Sequence, residues 1–417
     1  MPPAQLALTT PAAFAATLRP GRRILVAGCG GQPDAVLDAL AARPGALEGS
    51  VLAGVWIPGV LGRDMSALSA GARVETNFMT PEQRAGFAAG RVRPRPLHYS
   101  DAYLWLSGPA AMDMALLRVS PPRDGVVSLG LAHDFSPAVI ASGAEVVGVV
   151  DPAVPFVPDG VTLPLSRMSA LVDGASPLPD LPDAEPSPAF AAMACHAASL
   201  IRDGDTVQSG IGPAAASVLR MLSSHRGLSL HAGLLSDAGL GLLRDGVALR
   251  ATAGVWLGSA AHARELAEEP RIAWRPVGHT HDILTLAAIP DFVAMNSAVE
   301  VDLFGQTNSE VIGGRQISGH GGAADFARGA RRSPGGRSVV TLLATGGKGA
   351  SRIVAALPRA TPVAVTRADA DYVVTEHGVA NLRHTDLDTR AERLIAIAAP
   401  EHRDRLADEW DAIRRAM

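Results

Sequence analysis

Lysine is nearly missing from this 417-residue chain, where Lys348 stands alone. Arginine therefore carries almost all of the positive charge. The balance of 37 basic and 41 acidic residues leaves a formal net charge of −4. No basic stripe stands out, which argues against nucleic-acid binding as the main activity. The arginine skew is read as genomic bias rather than as phosphate recognition. Cysteine is scarce too: Cys29 and Cys195 are two isolated thiols, which make no disulfide framework and suggest a reducing cytoplasm. Aromatic residues reach only 4 %, so the core has to be built from Ala, Val, Leu and Ile. No apolar run approaches the roughly 18 residues needed to span a bilayer. The first residues lack the basic patch and apolar stretch of a secretion signal. The sequence-based expectation is a soluble, cytoplasmic protein that uses neither nucleic acid nor membrane.

What the chain does contain is apolar material and turns. Hydrophobic residues make up 47 % and charged residues 19 %, with 43 glycines and 31 prolines. Such a composition excludes disorder, and the length suggests two domains. The clearest boundary is Pro177, Pro179, Pro182, Pro186 and Pro188, a density that stiffens the backbone and removes donors. We therefore expect an N-terminal domain over 1–176, a linker over 177–188 and a C-terminal domain over 189–417.

Both halves open alike. Ile24-Leu25-Val26-Ala27 runs into Gly28-Cys29-Gly30-Gly31, Pro33 and a helical pattern through Leu37 and Leu40. Thr206-Val207-Gln208 runs into Gly210-Ile211-Gly212-Pro213 and a helix through Val218, Leu219 and Leu222. Each reads as strand, glycine turn, then helix with proline near its start. Further strands are expected at 126–129, 145–150, 292–295, 339–343, 363–365 and 372–374. Helices are expected at 11–18, 189–201, 261–267 and 389–397. This alternation predicts an α/β fold: two related α/β domains with parallel-rich sheets.

Chemistry is expected first at the glycine turns, whose free amides at a helix N-terminus favour an anion or a developing oxyanion. Gly28–Gly31 lacks the third glycine of a dinucleotide fingerprint, because position 33 is proline, and is read as structural. Gln208, Ser209, Gly210, Ile211 and Gly212 are read as turn or ligand contact with equal weight. Ser318-Gly319-His320-Gly321-Gly322, followed by Asp325-Phe326, permits close backbone approach to a ligand. Glu300 and Asp302 would share one face of a strand and could do acid–base work; two solvated edge charges are the commoner outcome. His279-Thr280-His281-Asp282 has closely spaced donors, but no further His/Cys pair supports a metal site. It is read as a turn entering the next strand, and no metal is expected.

Together these segments become recognisable. Met295 to Gln306 (MNSAVEVDLFGQ), Ser318 to Gly322 with Asp325-Phe326, Ser351-Arg352-Ile353-Val354 and Val374 to Arg383 (VTEHGVANLR) resemble the acetyl-CoA hydrolase/CoA-transferase family, of the 4-hydroxybutyrate CoA-transferase type. Gln208-Ser209-Gly210-Ile211-Gly212 and Ser128-Leu129-Gly130 extend the likeness over most of the chain. The resemblance implies a homodimer of two-domain subunits with the active site between the domains. It implies coenzyme A, as an acyl-CoA, and a small carboxylic acid as substrates. Contacts to the thioester and pantetheine would come from Gln208 to Gly212, from Val299, and from Gly319, His320, Gly321 and Gly322. In that family a glutamate attacks the acyl-CoA, forming a mixed anhydride and then a glutamyl-CoA thioester.

At the matching place this chain reads His231-Ala232-Gly233-Leu234-Leu235-Ser236-Asp237. His231 and Ser236-Asp237 fix the register, so Gly233 stands where the family keeps its glutamate. The segment after Gly246 also looks shorter than in relatives. Three readings follow. Water could replace the glutamate in the space left at Gly233, activated by His231, Asp237 or Glu300, although a buried, hydrogen-bonded histidine is the commoner fate of His231. Cys29 could serve as substitute nucleophile, although a small apolar filler is the commoner reading, and Cys195 is expected in the core. The chain could instead be a silent CoA-binding or regulatory relative, or a subunit that depends on its partner. Glu376-His377 is expected to shape the cleft, and Arg352 and Arg383 to meet CoA phosphates or surface carboxylates.

Overall fold

A computed structural model describes residues 7–60 and 62–417. Two eight-stranded sheets dominate it. Their strands are numbered in chain order. The first sheet holds β1 (Leu8–Thr9), β2 (Arg23–Val26), β3 (Val51–Gly54), β4 (Arg73–Thr76), β5 (Val92–Pro94), β6 (Met114–Val119), β7 (Glu145–Val150) and β8 (Ala170–Asp173). The second holds β9 (Thr206–Ser209), β10 (Leu228–Leu235), β11 (Ala248–Trp256), β12 (Ile272–Trp274), β13 (Phe292–Ser297), β14 (Arg337–Thr341), β15 (Tyr372–Thr375) and β16 (Gly378–Asn381).

The first sheet runs in the order β5-β4-β3-β2-β6-β7-β8-β1 and the second β12-β11-β10-β9-β13-β14-β15-β16. From β2 to β8 and from β9 to β15 the winding is the same. Every pair is parallel except the terminal β15–β16 hairpin. The expected relation between the halves is therefore present at the level of topology.

Alternation along each strand splits the core into layers. Ile24 and Val26 pack on one face of the first sheet, with Leu52 and Leu116, while Leu25 packs on the other with Ala115 and Leu117. Val293 and Met295 join one core of the second sheet, while Phe292 and Ala294 join another. Both faces are covered, so the strands read as continuous apolar runs.

Helices begin where their sequences stop being strand-like. Ser187 accepts from the Phe190 amide at 3.4 Å and Pro188 opens the helix Pro188–Ala198, which packs against Pro213–Met221. Residues 174–187 form no helix or strand, and they are fastened rather than loose. Leu181 donates to Gly258 O at 3.0 Å, and Asp183 accepts from the Ala238 amide at 2.8 Å.

Three expectations need correction. Val126–Ser128 is a strand, but it pairs antiparallel with Thr162–Pro164 in a separate ribbon outside the parallel sheet. Val365 makes only an isolated bridge to Thr307, so 363–365 is not a strand. His279-Thr280-His281-Asp282 leads into a helix, Ile283–Ala288, because the Asp282 carboxylate caps it by accepting from the Thr285 amide at 2.7 Å.

Candidate active site

In open parallel sheets the crevice lies at the carboxyl ends of the strands, where the winding reverses. This chain has two such points, between β2 and β6 and between β9 and β13. Both open onto one cavity of about 250 Å³. The first half contributes Cys29, from the turn after β2, together with Val55, Ile57, Phe78, Tyr99, Asp134 and Phe135. The second contributes Gln208 to Ile211, Gly233, His281, Asn296, Ser297 and the glycines 319, 321 and 322. A neighbouring cavity of about 250 Å³ shares Gly210, Ile211 and Leu234 with it and adds Gly212 and Leu181 to Ala184.

Backbone and amide groups define the polar wall. Gln208 and Asn296, on the neighbouring strands β9 and β13, exchange amide hydrogen bonds of 3.3 and 3.0 Å. The amides of Ile211 and Gly212 find no acceptor among the described residues, nor do those of Gly321 and Gly322. Gly212 and Gly322 precede the helices Pro213–Met221 and Ala323–Arg332, whose N-termini favour negative charge. A β-carbon on Gly319 would overlap the Asn77 carbonyl, so the absence of a side chain lets the two halves meet there.

Of the residues singled out from sequence, Gly233, Gln208, Ser209, Gly210, Ile211, Gly319, Gly321 and Gly322 line the main cavity, and Gly212 lines its neighbour. Five lie elsewhere. His231 is buried, with its Nε2 3.2 Å from the Thr280 carbonyl, and burial lowers its pKa to about 4. Asp237 accepts from the amides of Ser259 at 3.1 Å and Asp183 at 3.3 Å, holding the 174–187 segment down. Glu300 accepts from the Asn308 amide group at 2.8 Å within the β-strand pair 300–302 and 307–308. Val299 donates its amide to Asn308 O at 2.7 Å. His320 bonds to His98, at 2.7 Å, and to Glu310. Asp302, the neighbour of Glu300, ties the following turn by accepting from Phe304, Gln306 and Leu357.

The expected space above Gly233 is already taken. A β-carbon built on Gly233 would stand 2.6 Å from His281 Cε1 and 3.1 Å from its Nε2. One built on Gly322 would overlap the Cδ2–Nε2 edge of the same ring. The imidazole of His281 therefore occupies the slot between two residues without side chains. It packs at a tilt of 46° against Tyr99 and Phe326, with ring centroids 4.9 and 4.4 Å away.

Burial governs the electrostatics. It lowers the His281 pKa to about 3, assisted by His231. The Asp134 carboxyl rises to about 6 through burial, opposed by the amides of Phe135 and Ser136. Burial, with the Asp134 charge added, also pushes up the Cys29 thiol. Tyr99 rises for the same reason, with Cys29 and Asp134 contributing. A neutral thiol is a weak nucleophile. Cys29 thus lines the cavity without the electropositive surroundings that would activate it. Cys195, expected in the core, is exposed.

Sequence reasoning missed His281, Asp134 and Tyr99. Asp134 lies four residues past Ser128-Leu129-Gly130, which points to that loop; His281 stood out only as one donor of the 279–282 cluster, which was read as a turn.

Comparison with known proteins follows the same lines. Residues 258–410 match the acetyl-CoA hydrolase/transferase C-terminal domain. The 4-hydroxybutyrate coenzyme A transferase of Clostridium kluyveri is 33 % identical over 310 residues, 72 % of each chain. Among solved structures, RipA from Yersinia pestis superimposes with a TM-score of 0.90 at 28 % identity, covering 98 % of this chain and 97 % of its own. The 4-hydroxybutyrate CoA-transferase of Porphyromonas gingivalis gives 0.80 at 27 % identity, covering 99 % and 98 %.

Proposed function

Since the chain belongs to the acetyl-CoA hydrolase/CoA-transferase family, we propose that it processes an acyl-CoA thioester in the cavity between its halves, without passing through a glutamyl-CoA intermediate. The observation that carries this reading is the pairing of Gly233 with His281. The cavity keeps unpaired amides at 211, 321 and 322, with that of Gly212 beside it, suited to a thioester carbonyl. Yet position 233 offers no carboxylate, and its side-chain space holds an imidazole. An anhydride cannot form there.

On this reading the thioester carbonyl lies over the glycine segments, and the pantetheine arm follows the neighbouring cavity past Ile211 and Leu234. Water or a small carboxylic acid accepts the acyl group. A second reading, a CoA-binding relative without turnover, is favoured by the engagement of His231, Asp237 and Glu300 in structural bonds away from the cavity.

Calorimetric titration with CoA and acetyl-CoA, run beside a thiol-release assay with and without acetate or succinate, tests the proposal. Association together with thiol release is expected. Acceptor-independent release identifies a hydrolase, and acceptor-dependent release a transferase. Association without release leaves the second reading. Absence of association removes both.

A further inference from the structure

We infer that His281 is the general base of this cavity and that its imidazole delivers water to the acyl-CoA carbonyl from the slot over Gly233. This rests on the reading that a thioester is bound there, and it commits the acceptor to water.

Three observations converge on one nitrogen. His281 is 3 % exposed, and its Nδ1 lies 2.9 Å from Thr280 Oγ1. The Thr280 hydroxyl can itself donate to Pro276 O at 3.4 Å, which leaves its oxygen to accept the Nδ1–H. With the hydroxyl directed to Pro276 O, the proton sits on Nδ1 and the lone pair on Nε2. That Nε2 has no hydrogen-bond partner among the described residues, and it lies on the cavity wall between Gly233 and Gly322.

Other titratable groups on the cavity are less suited. Cys29 and Tyr99 are held in their protonated forms by burial. His231 lies behind the wall with Nε2 on the Thr280 carbonyl. Asp134 is the one remaining charge, and as a carboxylate it favours a cation forming nearby more than it favours an approaching hydroxide. Burial keeps the His281 ring neutral, so its lone pair is present throughout the physiological range. Basicity lost to burial is recovered as the oxyanion develops beside the ring, because opposite charges in a dry site attract strongly.

The step balances without any further reagent. Water bonds to the thioester carbonyl carbon as its proton passes to Nε2, giving an imidazolium and a tetrahedral oxyanion facing the free amides. The oxyanion collapses, the carbon–sulfur bond breaks, and the imidazolium returns its proton to the departing sulfur. The products are a carboxylic acid and CoA thiol.

The test compares wild type with His281→Gln, His281→Asn, His281→Gly and Asp134→Asn, using acetyl-CoA as probe and following binding and thiol release separately. Folding is checked by circular dichroism, and the two amide variants back each other should one fail to fold. The expected result is acetyl-CoA binding within about threefold of wild type, with thiol release reduced about 10²–10⁴-fold in the amide variants. Added free imidazole should restore part of the rate to His281→Gly. A folded His281→Gln or His281→Asn protein that releases thiol at the wild-type rate overturns the inference. So does wild-type binding with no release, or a loss of turnover confined to Asp134→Asn. Failure of wild type to bind acetyl-CoA would instead remove the underlying reading of the cavity.

Discussion

His98 Nδ1 and His320 Nε2 lie 2.7 Å apart, one from each half of the chain. Arg328 Nη1 donates to His98 Nε2 at 3.1 Å, so His98 must carry its proton on Nδ1 and donate it to His320. His320 in turn turns its Nδ1–H toward Glu310, 3.4 Å away. The relay requires both rings to be neutral. Burial, then His320 and Arg328, lowers the His98 pKa from the ordinary value of 6.5. The folded state thus favours neutral His98, and this contribution is present above 6.5 and declines as the pH falls through the lowered value. His98→Ala should lower the melting temperature more at pH 8 than at pH 5, as scanning calorimetry would record. An equal loss at both would mean the ring contributes packing alone.

Gly233 and His281 form a lock of another kind. Gly233→Glu should not restore family-type exchange, because its β-carbon meets the imidazole before the carboxylate can reach the cavity. Overpacking of this kind costs about 1–3 kcal/mol. Combining Gly233→Glu with His281→Gly should recover most of that loss. Chemical denaturation of the two single variants and the double variant reads the coupling, and strict additivity would mean the two sites do not share space.

Arg118 and Asp151 are 2 % and 3 % exposed and pair at 2.8 Å. Arg118 also donates to the carbonyls of Ser176 and Pro177, and Asp151 accepts from the Ser176 amide at 2.8 Å. The pair therefore pins the start of the segment that joins the halves. Asp151→Ala leaves a buried guanidinium without its carboxylate and should cost about 3–5 kcal/mol. Limited proteolysis should then cut within 174–187 earlier than in wild type. Unchanged cleavage would show that the other anchors of this segment suffice.

Asp134 carries the opposite pH signature to His98. Its folded pKa is raised to about 6 from 3.8 by burial. A carboxyl raised in this way adds stability below 3.8 that is lost as the pH climbs through about 6. Asp134→Asn should be more stable than wild type at pH 8, by up to about 3 kcal/mol, and should show no such gain at pH 4. Melting curves at the two pH values decide it.

The alternation of apolar strands, glycine turns and proline-led helices was legible because each is a local property. Gly28–Gly31 and Gln208–Gly212 could be placed at strand ends from the sequence alone. The matched winding of the two sheets was not legible strand by strand, since pairing joins residues as distant as Thr206 and Phe292. The glycine wall was readable because close approach of backbone selects glycine. The imidazole in the slot was not: a histidine at 281 acquires meaning only from missing side chains at 233 and 322. Asp237 and Glu300 drew attention as carboxylates near family motifs, but amide donors from Ser259, Asp183 and Asn308 occupy them. Asp134 looked ordinary because its desolvation depends on the arrival of the other half.

The halves are also stitched by backbone: His133 donates to Gly254 O and Trp256 to Leu131 O, both at 2.9 Å, around the Ala132–Val255 bridge. No proton can undo that seam, whereas the link through His98 weakens as its ring takes up a proton. The two halves are thus joined by one contact that acid loosens and by another that acid leaves untouched.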